Sequence, residues 1–223
     1  CALISCWIFF ASFIKIIDMA VHVALRVAML FLFGVGVSLL INLMQAQKNQ
    51  VLITSEMWLG MVKSGMWVPP ACGLSAVAIG LLYPTVDRLL GDPTVAQRTD
   101  WSSVIRCAAL FVGLNQAAAK IDFMSHAQLS LCLAAMSLGL WFYFDGSRSG
   151  LGLALVIALL AAAVNQMMIC LDAYRPSVDF VRVRAWLPCI FFSGSVTVGL
   201  AGRLLAAQAN SATSSSAAKS HGD

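Results

Sequence analysis

QLSLCLAAMSLGLWFYFDGSRSGLGLALVIALLAAAV, residues 128–164, places two apolar runs on either side of FDGSRSG (144–150). A helix that crosses about 30 Å of hydrocarbon needs about 20 mostly apolar residues. The polar break between the runs is long enough only for a turn. The stretch therefore reads as two antiparallel membrane-crossing helices. Within the break, Ser147 or Ser149 is placed to cap the second helix, and Asp145 lies near that helix's positive end. A polar turn and a surface read by another protein both fit these residues.

The whole chain carries the same signal. With 60% hydrophobic residues, 11% charged residues and a mean hydropathy of +0.86, it has too little polar surface to coat a water-soluble globule. Its net charge of +4 is spread along the length without a basic block. Nucleic-acid binding, which needs a concentrated basic face, is set aside. The expected fold is an all-α integral membrane protein, a bundle of six transmembrane helices with short loops. The spans fall near 23–44, 64–84, 102–121, 126–144, 151–171 and 185–207. Breakers mark the joints at Pro84 with Asp87, at Gly91-Asp92-Pro93, at Asp145 with Gly146 and at Arg175-Pro176.

Residues 1–21 are apolar, lack an initiator Met and are left unassigned, as a fragment's edge, a signal-like segment or a further span; Lys15 and Asp18 favour an interfacial segment. Residues 22–207 form the membrane domain, and the Ser-rich stretch 208–223 reads as a flexible tail. Loop charges divide eight against six, with Arg88, Arg148 and Arg203 among the eight, which favours both termini in the cytosol; if residues 1–17 also span, the amino terminus moves to the other side.

Catalytic and metal chemistry find no constellation. The seven cysteines lie mostly in apolar runs without a C-x-x-C pair, and read as buried apolar residues. His22, His126 and His221 are scattered, and no Cys/His spacing suits zinc. GSRSG at 146–150 approaches a serine-hydrolase elbow but has Arg148 at the nucleophile position.

Amides inside a bilayer are costly unless bonded, so their positions carry information. Asn42, Gln45, Asn115, Gln116, Gln128, Asn165 and Gln166 all fall in the non-cytosolic half once successive spans alternate in direction. They serve either as interhelical hydrogen bonds, each worth about 1 kcal/mol, or as the polar anchors of an apolar pocket for a rigid, hydroxyl-bearing lipid. Phe111 and Trp141 are available as walls of such a pocket. Gly34 and Gly36, Gly73 and Gly80, and Gly194, Gly199 and Gly202 supply close-approach faces. Pro69 and Pro70 suit a first helical turn, with Trp67 at interface depth. Asp87-Arg88 and Lys120 with Asp122 read as solvated caps at span ends.

WVPPACG (67–73), GLLYPTVDR (80–88), WSSVIRCAALFVGLNQAAAKIDF (101–123), QLSLCLAAMSLGLWFYFDGSRSGLGL (128–153) and RAWLPCIFFSGSVTVGLAGRLLA (184–206) resemble the Insig family of insulin-induced gene proteins. The resemblance implies a non-enzymatic, six-span protein of the endoplasmic reticulum that binds oxysterols such as 25-hydroxycholesterol and needs no cofactor. Such a protein retains the Scap–SREBP complex in that membrane. It also brings HMG-CoA reductase to membrane ubiquitin ligases for degradation, and so regulates cholesterol synthesis. By the same resemblance Gln128 is the polar sterol contact, with Phe111 and Trp141 lining the pocket; Asn115 and Asn165 join them from the amide cluster. Asp145 matches the acidic residue that engages the partners' sterol-sensing domains. Ser147 corresponds to a serine whose phosphorylation weakens sterol binding, and Lys219 with His221 is similar to a coat-protein retrieval signal. The chain departs from the family pattern at its apolar leader, at Gly146 in place of a basic residue, at Gln116 in place of His and in its Ser-rich tail. A small transporter or channel is the alternative, against which stands the placement of all charges near span ends.

Overall fold

The computed structural model describes residues 21, 23–41, 43, 68–90, 100–120, 126–170 and 187–219. These form α1 (Val23–Ile41), α2 (Val68–Leu90), α3 (Trp101–Lys120), α4 (His126–Phe144), α5 (Arg148–Cys170) and α6 (Leu187–Lys219). Readings that rest on residues 1–20, Asn42, Gln45, Trp67, Asp122, the joints at 91–93 and 175–176, or His221 lie outside the described residues. Among the described residues, four helices are long and apolar enough to cross a membrane: α1, α2 from Pro69, α5 up to Met167 and α6 up to Ala209. The apolar part of α4, Gln128–Phe144, is shorter, and α3 is diluted by Arg106, Asn115 and Gln116.

The bundle is built around α6, which packs against α2, α3, α4 and α5. Within the apolar window of α6, 72% of residues are buried inside the protein, against 17–22% for α1, α2 and α5. The outer helices turn large apolar side chains such as Leu32, Leu74, Ile105, Leu131 and Leu159 outward, as lipid-facing surfaces require. The core gathers Val196, Leu200, Leu204 and Leu205 of α6 with Val104, Leu133, Leu140 and Ala154 from its neighbours.

Because α6 is enclosed, its hydroxyls must be satisfied within the protein. Ser193, Ser195 and Thr197 donate to the carbonyls of Ile190, Phe192 and Ser193 on their own helix. Polar contacts also join helices here: Ser137 of α4 donates to the Cys189 carbonyl, and Cys107 of α3 lies 3.4 Å from the Thr197 hydroxyl.

Small residues set the close approaches, as their placement in the sequence suggests. Gly34 of α1 lies against Gly73 and Ala76 of α2, and Gly80 faces Leu30, an antiparallel pairing. Gly194 lies under the Phe111 ring, Gly199 under the Tyr83 ring, and Gly202 against the Gly80 backbone. Gly36 is the exception, with nothing near enough to meet an added methyl.

Three sequence expectations are corrected. Pro84 does not end the second span: α2 runs through it to Leu90. Proline removes the hydrogen bond to the carbonyl four residues earlier, here Gly80, and its ring crowds that carbonyl. That carbonyl faces Gly202, and packing against α6 keeps the helix continuous. The stretch from 208 to Lys219 is helical rather than irregular, since Ala206, Ala207, Ala209, Ala212, Ala217 and Ala218 favour continuation of α6. Cys132, expected to be buried, is exposed on α4.

Candidate functional site

The hairpin corner between α4 and α5 is where the polar chemistry of the described residues concentrates. α4 ends as its Trp141 carbonyl accepts from both Asp145 and Gly146 backbone N–H groups, at 2.9 and 2.8 Å. Gly146 turns the chain in the left-handed region, with φ of 61°. Ser147 then caps α5, its hydroxyl accepting from the Gly150 N–H at 3.0 Å. The indole N–H of Trp141 reaches across the corner to the Ser147 carbonyl at 3.1 Å.

Three ionised side chains from three parts of the chain meet behind this corner. Arg203 of α6 grips Asp87 of α2 with two bonds, Nε to Oδ2 at 2.6 Å and Nη2 to Oδ1 at 2.9 Å. Its Nη1 donates to Asp145 Oδ1 at 2.5 Å. The Ser147 hydroxyl donates to the same Asp145 oxygen at 2.6 Å and accepts from Arg203 Nη2 at 3.3 Å. Ser149 adds a bond to Asp87 at 3.2 Å. The Tyr83 ring lies 4.9 Å from the guanidinium carbon, a cation–π contact. Arg203 suits the position because its planar fork serves two carboxylates at once.

The cluster is enclosed. The side chains of Arg203 and Asp145 are each 1% exposed and that of Asp87 is 12% exposed. Asp145 Oδ2 is buried without a hydrogen-bond partner, pressed toward Gly150, where an added methyl would overlap it and the Ser147 hydroxyl. Asp87 is therefore no solvated cap. The extension of α2 past Pro84 carries it inward to Arg203. Arg203 in turn is not a loop charge but a buried partner of two acids.

The residues expected to line a sterol pocket are placed less compactly. Asn115, half-buried on α3, donates to the Phe111 carbonyl of its own helix at 2.9 Å. Phe111 packs over Gly194 of α6. Gln128 is exposed in the first turn of α4, and Asn165 is half-buried late in α5. Trp141 belongs to the corner, not to the amide-rich end. An apolar groove of ≈ 130 Å³ runs between α3 and α4, lined by residues including Leu110, Leu114, Gly139 and Tyr143 and by none of the expected sterol contacts. Its volume is below the several hundred Å³ typical of a site that engulfs a small molecule.

Sequence reading named Asp145 and Ser147 as site residues, took Asp87 for a solvated cap, Arg203 for a loop charge and Ser149 for an alternative cap, and gave Tyr83 no role. The available signal was Arg203 itself: a cation within GLAGRLLAA (199–207) requires a buried acid.

The family model described as insulin-induced protein (INSIG) matches residues 25–206. The insulin-induced gene 1 protein of Bos taurus is 51% identical over 186 residues, 83% of this chain and 67% of that protein. The insulin-induced gene 2 protein of Gallus gallus is 50% identical over 186 residues, 83% of this chain and 82% of that one. Among solved structures, a mycobacterial Insig homolog from Mycobacterium vanbaalenii aligns with a TM-score of 0.63 at 19% identity, covering 82% of this chain and 94% of the other. That likeness shows the six-helix membrane fold. With a family match across nearly all the described helices and half of the aligned residues identical in curated members, the chain belongs to the INSIG family.

Proposed function

We propose that the chain is a sterol-responsive adaptor of the endoplasmic reticulum membrane. It retains the Scap–SREBP complex there and brings HMG-CoA reductase to membrane ubiquitin ligases for sterol-dependent degradation. The observation that supports this reading is the INSIG family match over residues 25–206, which includes the buried corner as well as the packed helices. The chain acts by binding and not by catalysis.

The input is an oxysterol such as 25-hydroxycholesterol. Gln128 anchors it, with Asn115 and Asn165 as further polar groups and Phe111 as an apolar wall, while Trp141, 13 residues along α4 at the corner end, meets only the far end of the ligand. The output is partner binding at the corner, for which Asp145 is needed. Gln128 and Asp145 stand 17 residues apart toward opposite ends of α4, roughly 25 Å at 1.5 Å per residue. One rigid helix thus links input and output. Phosphorylation of Ser147 acts on the corner directly, since its hydroxyl is enclosed between Asp145 and Arg203 and a phosphate needs more room and competes for the guanidinium. Both termini are cytosolic, and Lys219 with His221 serves retrieval to the endoplasmic reticulum.

Saturable binding of radiolabelled 25-hydroxycholesterol to the purified protein tests the input. Gln128→Ala is expected to weaken it about fivefold, the effect of one hydrogen bond worth about 1 kcal/mol. Binding that ignores this substitution removes Gln128 from the site. A transporter is not favoured, because Asp87, Asp145 and Arg203 are closed on one another at the corner and leave no open relay.

A further inference from the structure

The position of Asp145 is at odds with direct contact by a partner. Its side chain is 1% exposed, one carboxylate oxygen is occupied by Arg203 and Ser147, and the other is buried toward Gly150. What the corner shows to the outside is different: Phe142 and Tyr143 are each 77% exposed, and Gly146 and Arg148 are exposed beside them. A partner that docks on the intact corner therefore meets these residues while the carboxylate lies behind them.

We propose that Arg203 and Asp87 are positioning residues for partner recognition, forming with Asp145 a latch that holds the α4–α5 corner in the shape the partner reads. This rests on the adaptor reading given above. Arg203 is the centre of the latch. It is fixed from one side by a two-point grip on Asp87 and by the Tyr83 ring, and it holds Asp145 from the other. Ser149 completes a second tie between α5 and α2. The corner is thus clamped to the central helix and to α2, and loss of either partner of Arg203 releases one side of the clamp. Removal of Asp145 and removal of Arg203 then produce the same defect, because they break the same bond.

The test compares Asp145→Asn, Arg203→Gln, their combination and Arg203→Lys with the wild-type chain. Val104→Ala, a core substitution that removes apolar packing and none of the corner's polar groups, controls for loss of stability. Three quantities are measured: capture of tagged Scap from membranes in 25-hydroxycholesterol, oxysterol binding, and the rate of trypsin cleavage after Arg148 in detergent-solubilised protein. Arg203→Gln is expected to lose capture tenfold or more, as Asp145→Asn does, with the double variant no worse than either single one. Cleavage after Arg148 accelerates about tenfold in all three while oxysterol binding stays within twofold of wild type. Arg203→Lys, which keeps the charge and loses the fork, falls between them.

Normal capture by Arg203→Gln beside lost capture by Asp145→Asn overturns the latch and makes Asp145 a direct contact. So do losses that multiply in the double variant. Capture that falls equally in Val104→Ala at matched thermal stability reduces the cluster to general structural support and also overturns it. A wild-type chain that captures no Scap sinks the adaptor reading instead. In that case an unchanged cleavage rate in Arg203→Gln still decides against the latch.

Discussion

At the scale of single residues, Gly150 shows how tightly the corner is built. Its amide caps onto Ser147, and its α-carbon leaves no space for a methyl beside the Asp145 carboxylate. Gly150→Ala must push that carboxylate off Arg203 or shift the start of α5. We expect a loss of about 2 kcal/mol, in the range of overpacking an enclosed site, visible as a lower thermal midpoint in detergent. Gly152, two residues on, has open space around it, and Gly152→Ala should leave the midpoint unchanged. Arg203 has a different vulnerability. A single truncation leaves two buried carboxylates without their cation, and breaking such a pair from one side costs about 3–5 kcal/mol. In the latch experiment Arg203→Lys keeps the cation, while Arg203→Gln loses it and keeps only an amide donor, so the Gln variant is read beside a stability control.

At the scale of elements, α2 and α6 touch backbone to backbone at Gly80 and Gly202. In lipid, helix association depends on packing and polar contacts because the surrounding tails are as apolar as the side chains. Close approach at this point brings the Tyr83 ring under Gly199 and Arg203, and Asp87 within reach of the guanidinium. Gly202→Val should hold the helices apart and dissolve the Asp87–Arg203 pair without touching either residue. A cysteine pair at the helix contact, efficiently crosslinked in the wild-type background, should crosslink several-fold less in that variant. Unchanged crosslinking would show that α2 and α6 accommodate the added bulk. The same contact explains why Pro84 misleads as a boundary: in isolation it punctuates a helix, but here α6 covers the carbonyl it leaves free.

At the scale of the whole molecule, the functional reading is one of linkage between two ends of the bundle. Under the proposed function, sterol would promote partner binding only by interacting more favourably with the partner-competent arrangement, and the partner would then tighten sterol binding by the same factor. For coupling of ordinary strength that factor is on the order of 5–150. Isotherms for 25-hydroxycholesterol with and without saturating Scap, set beside isotherms for Scap with and without sterol, should return one number. Two unequal factors would mean that the measured events are not a closed cycle of binding.

The amino-acid sequence alone determined the membrane class, the six apolar segments, the hairpin at FDGSRSG and a hydroxyl cap at Ser147 or Ser149, of which the structure selects Ser147. These follow from local properties: hydropathy summed over a helix length, short connections and the preference of hydroxyls for helix starts. The packing value of Gly34, Gly73, Gly80, Gly194, Gly199 and Gly202 was legible for the same reason, because small residues within apolar spans have few other uses. Only the tertiary structure decided that α6 is the central helix, since nothing in its apolar content sets it apart from the helices that face lipid. Only the tertiary structure, too, joined Asp87, Asp145 and Arg203. They are 58 to 116 positions apart in the chain, and each lies near a span end, where water would solvate it equally well. Burial by neighbouring helices removes that water, and an acid without water must find a cation that the fold delivers, here Arg203.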